Sequence, residues 1–278
     1  MKALFLVCLV LVSMSLFYSC TNNNDTSSIT KDNSFTVPQG IPAPQPITYT
    51  VDSVYPHDPK AFTQGLEYLN GKIYEGTGLN EQTNIRIVNL KTGKPEFNHH
   101  ITDTSIFGEG ITIFNNKLYQ LTWTSHKVFV YDLKNLNTPI KTLNWSSEGW
   151  GMTHDSSSLI VSDGITSNIY FVSPDDFKTI KTISVQDNNG PVLNLNELEL
   201  INGYLYANQW QTDNILKIDP SNGHVVGILN FKGLLDQYAA KDRTGDTDVL
   251  NGIAYNSQTK ELYVTGKRWP RLFAIHLN

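Results

Sequence analysis

Five stretches of this chain resemble one another at long and nearly regular intervals, and few folds accommodate that. Gln64-Gly65-Leu66-Glu67, Glu109-Gly110-Ile111-Thr112, Trp150-Gly151-Met152-Thr153, Asn196-Glu197-Leu198-Glu199 and Asn251-Gly252-Ile253-Ala254 each open a unit, at spacings of 45, 41, 46 and 55 residues. Ten to twelve residues after each opening stands Tyr74, Tyr119, Ile160, Tyr206 or Tyr263, inside a short run of strand-forming residues. The pairs Asn70-Gly71, Asn115-Asn116 and Asn202-Gly203 separate the first two runs in three units, as tight hairpins require. A third run follows at 85–90, 128–133, 169–172, 215–218 and 272–277, and a fourth closes the first four units. Short strands repeating in fours match propeller blades, and no helical periodicity competes with them. The expected fold is all-β, a five-bladed β-propeller.

The fifth unit holds only three strands. Ile47, Tyr49, Val51, Ser53 and Tyr55 alternate with polar neighbours as a half-buried strand does, so this N-terminal strand is expected to pair into the last blade and close the ring. The longest interval contains residues 234–241, expected as a short surface helix ahead of blade five.

A propeller turns sequence repetition into spatial proximity, because the first strand of every blade lines the axis. The opening positions bring together Gln64, Glu109, Trp150, Asn196 and Asn251. Fourteen residues on, sixteen in the last unit, come Gly78, Trp123, Gly164, Trp210 and Lys267; two before each opening stand Phe62, Phe107, Glu148, Asn194 and Val249. A purely structural channel would repeat small or aliphatic residues. These rings hold carboxylates, a lysine, three tryptophans and several amides, the make-up of a small-ligand cavity with aromatic walls. Glu109, flanked by Phe107 and Trp123, is the candidate for proton transfer, since partial desolvation raises a carboxylate pKa toward neutrality. Glu148 is either a second carboxylate of the site or a satisfied polar residue near the rim.

The N-terminus speaks to location. Lys2 is the only charge among the first 19 residues, followed by an apolar run and Phe17-Tyr18-Ser19-Cys20. That pattern is expected to be a lipoprotein-type signal peptide at 1–19, with Cys20 the lipidated residue; an uncleaved N-terminal anchor is the alternative. The run is shorter than the ~18 residues of a membrane-spanning helix. Cleavage also removes Cys8, one of two cysteines, which leaves no pair for an internal disulfide. Residues 20–46, with prolines at 38, 42, 44 and 46, are expected as a disordered tether, and 47–278 as the catalytic propeller. The protein is expected to be exported, membrane-tethered through its lipid toward the periplasm or cell surface, and monomeric. A formal net charge of −5 offers no basic surplus for nucleic acid.

Several chemistries lack their residues. The seven histidines show no His-Glu-x-x-His spacing, so a catalytic metal is not expected. No Gly-x-Ser-x-Gly turn, phosphate loop or dinucleotide fingerprint is present.

The segments His57-Asp58-Pro59-Lys60-Ala61-Phe62-Thr63-Gln64-Gly65-Leu66, Phe107-Gly108-Glu109-Gly110, Glu148-Gly149-Trp150-Gly151, Asn208-Gln209-Trp210 and Val264-Thr265-Gly266-Lys267-Arg268-Trp269-Pro270, together with the unit openings, resemble the plant and bacterial type of glutaminyl-peptide cyclotransferase, or glutamine cyclotransferase. The likeness spans about residues 47–277. It implies an acyltransferase that closes the N-terminal glutamine of a peptide into pyroglutamate and releases ammonia. It also implies Glu109 as the catalytic residue and Phe62, Gln64, Phe107, Trp123, Trp150, Asn196, Trp210 and Lys267 as substrate-binding residues. No cofactor is required on this reading, although a structural calcium or similar ion in the channel is compatible with it. Two other readings stand beside it: a non-catalytic propeller serving as a scaffold, and a lactonase or esterase with a central calcium. The last would need several inward oxygen ligands, whereas the axial rings supply only Glu109 and Glu148 as carboxylates.

Replacing Cys20 by serine should release the protein from the membrane fraction. Unchanged fractionation of that variant would show the apolar run to be an ordinary anchor.

Overall fold

The computed structural model describes residues 40–278. The signal peptide expected at 1–19, Cys20 and most of the tether lie outside the described residues.

Five sheets of the expected kind follow one another. Blade one is built from Thr63–Leu69, Lys72–Thr77, Asn84–Val88 and Pro95–His100, and blade two from Gly108–Phe114, Lys117–Thr122, Lys127–Asp132 and Lys141–Asn144. Met152–His154, Leu159–Ser162, Asn168–Val172 and Thr179–Ser184 form blade three; Leu195–Ile201, Tyr204–Gln209, Asn214–Ile218 and Val225–Asn230 form blade four. Leu250–Asn256, Glu261–Gly266 and Arg271–Leu277 complete three strands of blade five. Its fourth is Tyr49–Pro56, paired antiparallel with Arg271–Leu277 from Tyr49 opposite Leu277 to Pro56 opposite Arg271. Ring closure thus joins the two ends of the domain in one sheet.

The hairpin residues do what their types allow. Asn70 and Gly71, Asn115 and Asn116, and Asn202 and Gly203 all have positive φ, between 50° and 83°, as two-residue turns matching the strand twist demand. Burial grades outward: the inner strand Gly108–Phe114 is buried at every position, whereas the outer strand Thr179–Ser184 buries only Ile183. The apolar core is correspondingly divided into five clusters, each filling the seam between two neighbouring blades.

Two details depart from expectation. Order begins before Ile47, because Gln45–Pro46 adds a short parallel strand to the outer edge of blade four, opposite Gly227 and Ile228. A proline is tolerated there since an outermost strand needs no donor on its free side. The helix is Leu234–Ala239, shorter than 234–241, and buries Leu234, Leu235 and Ala239 against the seam of blades four and five.

The inner strands meet across the axis through side chains that accept the next blade's backbone. Glu67 Oε2 accepts the Thr112 hydroxyl at 2.9 Å and the Ile113 N–H at 3.1 Å. Thr153 Oγ1 accepts the Leu200 N–H at 3.2 Å. Glu197 reaches two blades, taking the Leu66 N–H at 3.1 Å and the Ile253 N–H at 2.8 Å. Burial pushes Glu67, Glu197 and Glu199 above the ordinary glutamate value, and the charge of Glu67 pushes Glu197 and Glu199 further.

Two measurements follow from closure and from these glutamates. Deleting residues through Pro56 should abolish cooperative folding, because blade five would lose an edge strand that packs on its core; an unchanged melting temperature would refute the closing role. Carboxyls with raised folded pKa stabilise most when the unfolded chain is also protonated, and that contribution fades as pH climbs through their folded values. Tm should therefore fall as pH rises above the ordinary glutamate value of 4.5, and Glu197→Gln should flatten the fall; parallel Tm profiles would exclude Glu197 as a source.

Candidate active site

The three rings meet at one end of the axis. In four blades one backbone hydrogen bond ties the second ring to the third: Gly78 N to Phe62 O at 2.8 Å, Trp123 N to Phe107 O at 3.0 Å, Trp210 N to Asn194 O at 2.8 Å and Lys267 N to Val249 O at 2.9 Å. Blade three differs, since Trp150 N donates to Ser162 O at 3.0 Å. This repeated bond is why positions some sixteen residues apart in sequence face the same space.

That space is a cavity of about 420 Å³, the size of a small-ligand site. Phe62, Gln64, Phe107, Glu109, Trp123, Trp150, Asn196, Trp210 and Lys267, the nine residues singled out from the sequence, all line it. Leu79, Gln211, Asp248 and Val249 complete the lining. Val249 belongs to the third ring, but Leu79, Gln211 and Asp248 were not singled out. Leu79 and Gln211 each follow a second-ring residue and adopt positive φ, 75° and 64°, which turns the chain over the cavity mouth. The signal was positional: they stand one step beyond a ring already identified.

The walls are aromatic and interlocked. Phe62 meets Phe107 edge-on with centroids 6.2 Å apart, Phe107 meets Trp123 at 5.5 Å, and Trp150 meets Trp210 at 5.3 Å with an interplanar angle of 89°. Gly164 makes room for one of them. Its φ is 66°, and a Cβ there would lie 2.0 Å from the Trp150 indole.

Glu148 does not line the cavity. Its Oε2 accepts the indole N–H of Trp123 at 2.5 Å and that of Trp150 at 3.0 Å, so one carboxylate oxygen pins two walls from behind. The rim reading of Glu148 is therefore the one the geometry bears out.

Polar groups cluster on the inner wall. Asn251 Nδ2 donates to Thr63 O at 3.0 Å and to Gln64 Oε1 at 3.4 Å, and Gln64 Nε2 donates to Glu109 Oε1 at 3.3 Å. The chain of donors ends at Glu109, only 4% exposed, whose second oxygen has no protein partner. Asn196 Oδ1 is likewise buried and unpartnered. Buried polar atoms left without partners are uncommon, and here two of them belong to cavity-lining residues, which suits a site completed by its ligand. Burial raises the Glu109 carboxyl well above the ordinary glutamate value, against the pull of Lys267 and with the push of Glu148. Lys267, also 4% exposed, is lowered by burial despite the opposing attraction of Glu109 and Asp248. Both groups can exchange a proton closer to neutrality than they could in water. Among the described residues, no three His, Cys, Asp or Glu side chains converge as a metal-ligand set.

Residues 17–277 match the family model described as glutamine cyclotransferase. A glutaminyl-peptide cyclotransferase of Arabidopsis thaliana is 41% identical over 224 residues, which cover 80% of this chain and 69% of that protein. The crystal structure of Myxococcus xanthus glutaminyl cyclase superposes with a TM-score of 0.77 at 35% identity, covering 84% of this chain and 98% of the other. With the family model spanning nearly the whole chain, the protein belongs to the glutamine cyclotransferase family.

Proposed function

We propose that this protein is a glutaminyl-peptide cyclotransferase, which converts the N-terminal glutamine of peptides and proteins to pyroglutamate, and that Glu109 shuttles the proton. The observation that carries the assignment is a single buried carboxylate, with one oxygen held by Gln64 and the other free, in an aromatic cavity of a size that suits a small ligand.

The chemistry is an intramolecular acyl transfer. The α-amine attacks its own γ-carboxamide carbon, a new C–N bond forms, the old one breaks, and ammonia leaves. A free α-amine has a pKa near ~8, so a base of raised pKa can relieve it of a proton at neutral pH. The ammonium proton passes on to solvent; Glu109 then takes on its unpartnered oxygen the second proton, which the attacking nitrogen sheds as the ring closes, and returns it to the departing amide nitrogen, ending as it began. The aromatic walls hold the side chain folded so that the amine sits over the carbonyl carbon, which replaces a loose collision by a near-attack geometry. Gln64, Asn196 and Lys267 supply donors for the substrate oxygens, where negative charge develops during attack. No step calls on a cofactor. The lipid on Cys20 would hold this monomeric enzyme at the exported face of a membrane, within reach of secreted peptides.

Ammonia release from a Gln-initiated dipeptide is the direct assay. Glu109→Gln keeps the shape and loses the proton-transfer group, so kcat should fall by ~10² to 10⁴ with folding retained. Retention of more than about a tenth of the wild-type kcat would remove Glu109 from this role. The acid limb of kcat/KM should titrate above the ordinary glutamate value of 4.5, and activity should survive EDTA.

A further inference from the structure

The seam at which the propeller closes runs beside the cavity. The closing strand ends at Pro56, and the chain then passes through residues 57–61 to Phe62 and Gln64 of the cavity wall. Across the seam lie residues 267–270, beginning with Lys267. The two stretches are zipped by their backbones: His57 N donates to Pro270 O at 3.0 Å, and Arg268 N to Ala61 O at 2.7 Å. Lys267 Nζ lies 4.9 Å from the centre of the Phe62 ring, so the zipped stretches put a cation and an aromatic wall in contact.

Behind them is a charged cluster that the reaction does not touch. Glu75, in the second strand of blade one, is fully buried. Its Oε1 accepts the Thr63 hydroxyl at 2.7 Å and faces His57 Nε2 at 3.0 Å. Its Oε2 accepts Arg86 Nε at 3.1 Å together with a second guanidinium N–H of Arg86, whose remaining arm reaches Asp58 at 2.7 Å. The other ring nitrogen of His57 faces Trp269 O at 2.6 Å. Burial opposes ionisation of Glu75, but Arg86 and His57 outweigh it and hold the carboxyl well below the ordinary glutamate value.

We infer that Glu75 is a positioning residue that fixes the Phe62–Gln64 wall and the Lys267 wall of the cavity relative to each other. Thr63 stands between two cavity-lining residues, and Trp269 stands two residues beyond a third. One carboxylate holds the first directly and the second through His57. Buried ion pairs are a poor source of net stability compared with apolar packing of the same volume, whereas they do fix geometry. A displacement of about 1 Å between reacting groups can cost ~10²-fold in rate.

The inference rests on the cavity being the active site, and the test separates the two. Glu75→Gln should lower kcat/KM for a Gln-initiated dipeptide by about tenfold or more, with kcat falling as well as KM rising, at temperatures well below its own Tm. Ile183→Ala, in the seam of blades three and four, is the control that lowers Tm without moving kcat/KM. A kcat/KM within about twofold of wild type in Glu75→Gln would overturn the inference and leave the cluster a matter of stability alone. Should that variant fail to fold, Thr63→Val removes only the hydroxyl that Glu75 receives: a fall of about threefold or more supports positioning, and a smaller change overturns it. A wild-type protein inactive on the dipeptide would sink the proposed function instead. Crystal structures of wild type and Thr63→Val would then decide the inference, displaced Phe62 and Lys267 side chains supporting it and unmoved ones refuting it.

Discussion

Every blade has one strand whose second edge faces the axis, and the backbone groups on those five edges must find partners where the chain is most crowded. The structure meets that demand by lending side chains from one blade to the backbone of the next. Glu67, Thr153 and Glu197 accept N–H groups of Ile113, Leu200, Leu66 and Ile253. Glycine at the second position of the units lets neighbouring backbones close in, most tightly at Gly151, where a Cβ would lie 1.9 Å from Asn196 O. Blade four carries Glu197 at that position and uses its carboxylate to bridge blades five and one.

The site follows from that closure. With strands packed tightly beneath it, Glu109 is buried, and its raised pKa is a consequence of that burial. The aromatic walls add a second layer of constraint, since Glu148 holds two indoles and Gly164 leaves space for one of them. Proton transfer, wall geometry and ring closure are thus successive results of one architectural requirement. The Glu75 cluster extends the same logic to the seam beside the closing strand, where the two ends of the domain meet.

Much of this is legible in the sequence. Repeat alignment alone put Gln64, Glu109, Trp150 and Asn196 in one ring and Trp123, Trp210 and Lys267 in another, because a propeller maps equal repeat positions to equal heights on the axis. What it missed lies where repeats diverge. Asp248 comes from the long interval before blade five, and Leu79 and Gln211 reach the cavity through a local left-handed turn rather than through strand register. The Gln45–Pro46 strand was hidden because a proline-rich segment carries no alternating pattern, and its pairing depends on a free edge nearly two hundred residues away.

The sequence by itself determined the number of blades, the closing strand and most of the cavity wall, since these depend on periodicity and on counting strands. Tertiary structure decided the surroundings on which roles depend. Whether a glutamate is an acid–base group, a wall pin, a backbone acceptor or a hub depends on which partners lie within hydrogen-bond reach and how much water remains. Glu109, Glu197 and Glu75 are the same residue type in strands of their blades, and Glu148 stands in the connection leading to one. Only packing separates them, because desolvation and pairing are properties of surroundings assembled from distant blades.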